Sequence, residues 1–193
     1  MGSGVASARE RILDSAYELF STHGVRAVGV DDVIVRAAVA KATLYRHFPS
    51  KNALVLAFLD RREEVWTRGW IEVEARRRGA TAQDWLLAIF DLFDEWFRRD
   101  DFEGCSFVNV LLESAKRDGP VARACVQHLE RIRDVLRGFA AEAGIRDVDN
   151  FAHAFHILMQ GAVAHAEEGD VEAAIRAQSM ARDLIDKHYP SER

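Results

Sequence analysis

Residues 25–51 read VRAVGVDDVIVRAAVAKATLYRHFPSK. Two short apolar-periodic segments flank a small-residue turn in this stretch. The second, Lys41-Ala42-Thr43-Leu44-Tyr45-Arg46-His47-Phe48, stops before Pro49, because the residue preceding a proline avoids the α region. Wound as a helix, it puts Leu44 and Phe48 on one face. Lys41 and Tyr45 share another, with Thr43, Arg46 and His47 fanning around it. One face suits a core and the other a polyanion, which is the division a recognition helix needs in the major groove of DNA.

Charge partition agrees with that reading. The 193-residue chain carries a net charge of −5, which alone argues against a nucleic-acid partner. Residues 1–51, however, hold seven Lys/Arg and five Asp/Glu, a balance of +2, which leaves −7 for the other 142 residues. A mildly basic head on an acidic body suits a protein that touches phosphate with one end.

The chain is long enough for one large or two small cores. With three prolines and abundant Ala, Leu, Glu and Arg, it is expected to be all-α. No stretch approaches the ~20 apolar residues of a membrane span. The N-terminus lacks a signal-peptide core, so a cytoplasmic location is expected. Cys105 and Cys125 form no CxxC or zinc spacing and read as small buried side chains, with a redox switch as the other reading.

About nine helices are expected. The first runs from about Ser7 to Thr22, ending at Gly24, and the second from Val30 to Ala37, with Val30, Val33 and Ile34 buried. The third is the recognition segment. Ser50 caps a long fourth helix to Arg78, with a stripe of Val55, Leu59, Trp66, Trp70 and Val73. The rest span about Ala82–Arg99, Cys105–Arg117, Pro120–Ala143, Val148–Glu167 and Val171–Lys187. Thr81 with Asp84 makes a capping-box start, and Pro120 takes a first helical position.

The head resembles the tetracycline-repressor-like (TetR/AcrR) family of bacterial regulators. The residues that carry the resemblance are Arg11-Ile12-Leu13, Leu19-Phe20, Gly24, Val30-Asp31-Asp32-Val33, Lys41, Thr43 to Phe48 and Ser50-Lys51. Gly104-Cys105-Ser106-Phe107-Val108-Asn109 is similar to a stretch of one branch of that family. The resemblance implies a three-helix helix-turn-helix DNA-binding head, residues 1–51, on a ligand-binding and dimerisation body, residues 52–193. It implies that Lys41 and Thr43 reach base edges or nearby phosphates, and that Tyr45, His47 and Lys51 hold the DNA backbone. Ala42 and Arg46 lie in the same DNA-binding segment. Phenol, imidazole and ammonium donors fix register on phosphate without reading sequence.

Departures from the family pattern concentrate in the turn. Ala38 stands where a glycine often takes left-handed geometry, so strain is expected there. Ala40 replaces a capping serine, a loss of roughly 1 kcal/mol, and Ala42 replaces a glycine. Val28 and Gly29 stand where hydroxyls often open the second helix, so fewer phosphate contacts are expected.

In the body, residues 85–107 carry seven of the chain's 18 aromatics. They read as plain core or, as a group, as the wall where this family binds effectors. On the second reading the effector-binding residues are Trp66, Trp70, Phe90, Phe93, Trp96, Phe97 and Phe107, with Asn109, His153 and His156 as polar anchors, joined by Glu113. An apolar or aromatic effector is expected. The histidines complete no metal set, and neither metal nor cofactor is expected.

Small residues recur through the last two helices among larger apolar ones. Phe151, Phe155, Leu158, Ala162, Ala166, Ala177, Met180, Ala181 and Leu184 read as a dimer interface, with packing inside one subunit as the alternative. One short recognition helix reads too few bases, so two half-sites about 34 Å apart are expected. The expected function is a homodimeric, effector-released repressor of a pseudo-palindromic double-stranded DNA operator; an activator or a non-specific DNA binder is the alternative. No nucleophile, base and orienting acid fall at an enzyme's spacing.

Overall fold

The computed structural model describes residues 7–114, 116 and 118–188. The described residues form helices α1 (Ala8–His23), α2 (Val30–Ala37), α3 (Lys41–His47), α4 (Lys51–Arg62), α5 (Val73–Arg78), α6 (Ala82–Phe97), α7 (Ser106–Glu113), α8 (Pro120–Glu142), α9 (Val148–Glu167) and α10 (Ala173–His188), with no strand among them. Between α4 and α5, residues Glu63–Glu72 wind as a π-helix. Helical backbone therefore continues from Lys51 to Arg78, and the described residues make nine helical stretches, as expected. The sixth expected helix is shorter than its pattern suggested; Ala115 and Arg117, inside that expectation, lie outside the described residues.

The π winding corrects one expectation. An i→i+5 turn takes an extra residue, so side chains after Glu63 lose the α-helical phase. Val73, expected on the apolar stripe, is 53% exposed, while Ile71 and Ala75 are buried instead.

The chain divides into two compact units. The first comprises residues up to Glu63 together with Ser106–Gln127. The boundary expected at residue 51 thus falls inside it, and α7 and the start of α8 belong with the head. Its core holds Ile12, Ala16, Phe20, Val33, Leu44, Leu54, Phe58 and Leu59, all buried. The Phe58 ring meets Tyr17 and Phe20 edge-on, each at 5.6 Å. Burying one such ring contributes roughly 2–3 kcal/mol. Arg62 donates to the Tyr17 hydroxyl at 3.0 Å, and Arg61 pairs with Glu10 and Asp14 at 2.6 and 3.1 Å.

The second unit comprises Glu64–Cys105 and the chain from His128 onward. Its α6 starts with the expected capping box: Thr81 Oγ1 accepts from the Asp84 N–H at 3.2 Å, and Asp84 Oδ2 accepts from the Thr81 N–H at 3.0 Å. Gly79 precedes it because a Cβ there would lie 2.6 Å from the Asp84 Cβ. Trp85 donates its indole N–H to the Gly79 carbonyl at 3.0 Å and packs on Phe139. The apolar faces of α6, α9 and α10 close on one another through Phe90, Phe93, Phe151 and Phe155, all fully buried.

Candidate nucleic-acid interface

The turn before α3 is built from strained and uncapped residues. Asp32 Oδ2 accepts the Gly29 N–H at 2.8 Å and secures the start of α2. The end of α2 is Ala38, at φ 51° and ψ 53°. The Val39 N–H reaches back to the Ile34 carbonyl at 3.3 Å, a closure that requires the left-handed residue between them. A Cβ in that region costs roughly 1 kcal/mol, so the strain expected at Ala38 is present. Ala40 caps α3 with no side-chain hydrogen bond, again as expected. Val28 is buried, so the missing hydroxyl has become a core residue.

On α3, Leu44 and Phe48 are buried and seat the helix on α1 and α2. The Arg9 guanidinium covers the Phe48 ring at 5.3 Å. Lys41, Ala42, Tyr45 and Arg46 are exposed, and Thr43, His47 and Lys51 are half-buried. The two faces therefore divide as the spacing predicts. Lys41 Nζ pairs with Asp31 at 3.1 Å. That hydrogen bond and the carboxylate's charge raise the lysine's pKa, so Lys41 is cationic throughout the neutral range.

The expected effector residues separate between the two units. Phe107 and Asn109 belong to the first. In the second, Trp66, Trp70, Phe93, Trp96 and Phe97 form one ring cluster, with centroids from 5.2 to 6.1 Å apart. Phe102 joins it at 4.8 Å from Trp96. Phe90 turns instead toward Phe155 at 5.3 Å. His156 is buried and His153 exposed, its Nδ1–H donating to its own helix at Asp149 O, 2.9 Å away.

His156 heads a polar chain inside this unit. Its Nδ1 lies 3.2 Å from Arg133 Nη1 and its Nε2 lies 3.1 Å from the Gln160 amide. The guanidinium can only donate, so Nδ1 accepts and the ring is the Nε2–H tautomer. The Gln160 amide must then turn its oxygen to that N–H. Burial, and after it the charges of Arg133 and His153, push the imidazole down to about 4, with Glu130 opposing. Glu130 itself is held down to about 2 by hydrogen bonds from Arg133 and Arg137.

The residues expected at an interface divide by burial. Phe151, Phe155, Ala162, Ala177 and Ala181 are buried within the chain, the Phe151 ring tilted against Phe155 at 5.6 Å. They pack α9 and α10 onto α6, the packing inside one subunit that stood as the alternative. Leu158, Ala166 and Leu184 are half-buried, and Met180 is exposed. A shallow groove of about 290 Å³ runs between α9 and α10, lined by Ala154, Leu158, Met180, Asp183, Leu184 and Lys187. Ile157, which sequence reasoning passed over, is 72% exposed on α9.

Known proteins place this arrangement. The signature of bacterial regulatory proteins of the tetR family matches residues 12–58, and that of the tetracyclin repressor-like C-terminal domain matches residues 82–181. The chain belongs to the tetracycline-repressor family. The transcriptional repressor ComR of Escherichia coli K12 is 25% identical over 171 residues, 83% of this chain and 80% of that one. The transcriptional activator FasR of Mycolicibacterium smegmatis is 45% identical over 92 residues, 48% of this chain and 41% of FasR. The crystal structure of SCO4454, a TetR-family transcriptional regulator from Streptomyces coelicolor, superposes with a TM-score of 0.84 at 28% identity, covering 94% of this chain and 95% of that one.

As a member of the tetracycline-repressor family, the chain is a transcriptional regulator with a DNA-binding helix-turn-helix. One residue acquires a role that sequence reasoning did not assign it. Glu113, expected among the effector anchors, accepts the Arg26 backbone N–H at 2.7 Å. It thus tethers the α1–α2 loop of the head to α7. No local pattern reports such a contact.

Proposed function

We propose that this regulator is a homodimeric repressor released from a pseudo-palindromic operator by a small, largely apolar effector. The observation that carries the reading is the division of α3. Leu44 and Phe48 are sunk in the head, while Lys41, Tyr45 and Arg46 stand outward with Thr43, His47 and Lys51 beside them. Thr43 and Lys41 are assigned to base edges or adjacent phosphates, and Tyr45, His47 and Lys51 to the DNA backbone.

Dimerisation is assigned to the outer face of α9 and α10, where Ile157 and Met180 are 72% and 57% exposed beside the Leu158–Leu184 groove. The effector is assigned to the second unit's ring cluster, with the His156–Gln160–Arg133 chain as its polar end. An effector acts only by binding one dimer state better than the other. With a DNA operator as its partner, the protein is assigned to the cytoplasm.

Selection of binding sites from a random duplex pool tests the reading. The expected result is an inverted repeat with half-site centres about one helical turn apart, bound by two chains. Retention of DNA without sequence preference would overturn it. A reporter bearing the selected site then reads the sign of regulation.

A further inference from the structure

The first unit holds a cleft of about 520 Å³ that neither α3 nor the effector reading uses. That volume lies within the range of small-molecule sites. Val55, Val110 and Val121 supply apolar wall, while Arg26, Lys51 and Lys116 bring three cations to the lining. Glu113 is the carboxylate among the lining residues, and one of its oxygens already accepts the Arg26 N–H. The side chains alone leave the cleft with excess positive charge beside hydrocarbon. The α4 and α8 helices also begin on it, and neither has an acidic side chain in its first turn.

We propose that this cleft is a second ligand site, for an amphiphilic organic anion, and that its occupancy opposes DNA binding. The hydrocarbon part lies on the valines and the anionic head pairs with Lys51, Lys116 and Arg26. A carboxylate or phosphate head satisfies the same donors. Lys51 makes the coupling, since it is also the residue assigned to a DNA phosphate; this half of the proposal rests on that assignment. An anion holding Lys51 in the cleft takes it from DNA, and by linkage DNA weakens the anion equally.

The test uses ¹⁵N-labelled full-length protein titrated with octanoate, octyl phosphate and octylamine. The two anions are expected to shift the amides of Val25, Arg26, Asn52 and Val121, the tighter one naming the head group, with octylamine leaving them unmoved. Val121→Trp, which fills the cleft, and Lys116→Glu, which reverses one rim charge, are each expected to weaken the anion by about tenfold or more. Lys116 is exposed, so its variant decides the matter if Val121→Trp does not fold. Shifts confined to other amides, equal binding of octylamine, or undiminished affinity in the folded variants would overturn the site. In a second arm, the tighter anion is expected to release a random-sequence duplex from the wild type but not from Val121→Trp. Cleft binding with no change in DNA affinity would overturn the coupling.

Discussion

Glu113 and Arg26 are 87 residues apart, yet the Glu113 carboxylate accepts the Arg26 backbone N–H at 2.7 Å. The bond ties the loop between α1 and α2 to the end of α7. Glu113→Ala is expected to destabilise the first unit by about 1 kcal/mol, the discounted value of a charge-assisted bond open to solvent. Glu113→Gln keeps an acceptor and should lose less. Chemical denaturation of the two variants checks the order.

Gly24 lies against the same carboxylate. It sits at φ 78°, and a Cβ there would lie 2.5 Å from Glu113 Oε1. Gly24→Ala is therefore expected to cost roughly 2 kcal/mol, from the left-handed backbone and the collision together. The collision vanishes in the Gly24→Ala, Glu113→Ala double variant, so the double loss should be smaller than the sum of the singles. Additive losses would mean that the backbone conformation carries the whole cost.

Ala38 offers the opposite sign. At φ 51° its Cβ is strained, and Ala38→Gly removes that strain while adding freedom to the unfolded chain. The net expectation is a gain of about 0.5 kcal/mol. Ala40→Ser restores an N-cap to α3 and is expected to add about 1 kcal/mol. Thermal unfolding of both variants measures the gains, and a loss at position 38 would show that the turn has relaxed around alanine.

These sites show what the sequence could and could not carry. The strain at Ala38 and the bare cap at Ala40 are legible only through the resemblance to the family's turn, while the burial of Leu44 and Phe48 follows from spacing within a few residues and is legible there. The capping box at Thr81 and Asp84 is equally local. The π winding of Glu63–Glu72 leaves no mark in composition, so the exposure of Val73 was not. Phe151 and Phe155 read as interface, with packing inside one subunit as the alternative, because an apolar helix face does not say what covers it; here Phe90 and α10 do. The tether from Glu113 to Arg26 depends on tertiary contact alone.

His156 predicts an acid-sensitive body. Its folded pKa, pushed down to about 4 by burial and Arg133, lies below its ordinary value near 6.5. Between those values the unfolded chain binds the proton and the folded chain does not. Stability from this group is therefore complete above about pH 6.5 and lost as pH falls toward 4, by roughly 3 kcal/mol at most. His156→Gln should flatten that part of the stability profile. An unchanged slope between pH 6.5 and 4 would place the titration on other groups.

Lys41 and Asp31 set the last expectation. Both are exposed, and their 3.1 Å ion pair lies on the face assigned to DNA. A phosphate or base edge reached by Lys41 must compete with that carboxylate. Asp31→Asn removes the competitor and one like charge, so duplex affinity is expected to rise several-fold at low salt. Lys41→Ala is expected to lower affinity and to reduce the slope of log K against log salt by about one unit. The two effects separate in the double variant. If Asp31 acts by holding Lys41, Asp31→Asn gains little once the lysine is gone; if it acts by general repulsion, the gain persists in full. Fluorescence anisotropy across a salt series distinguishes these outcomes. A Lys41→Ala protein with the wild-type slope would place the lysine away from phosphate and undo the docking of α3 argued above.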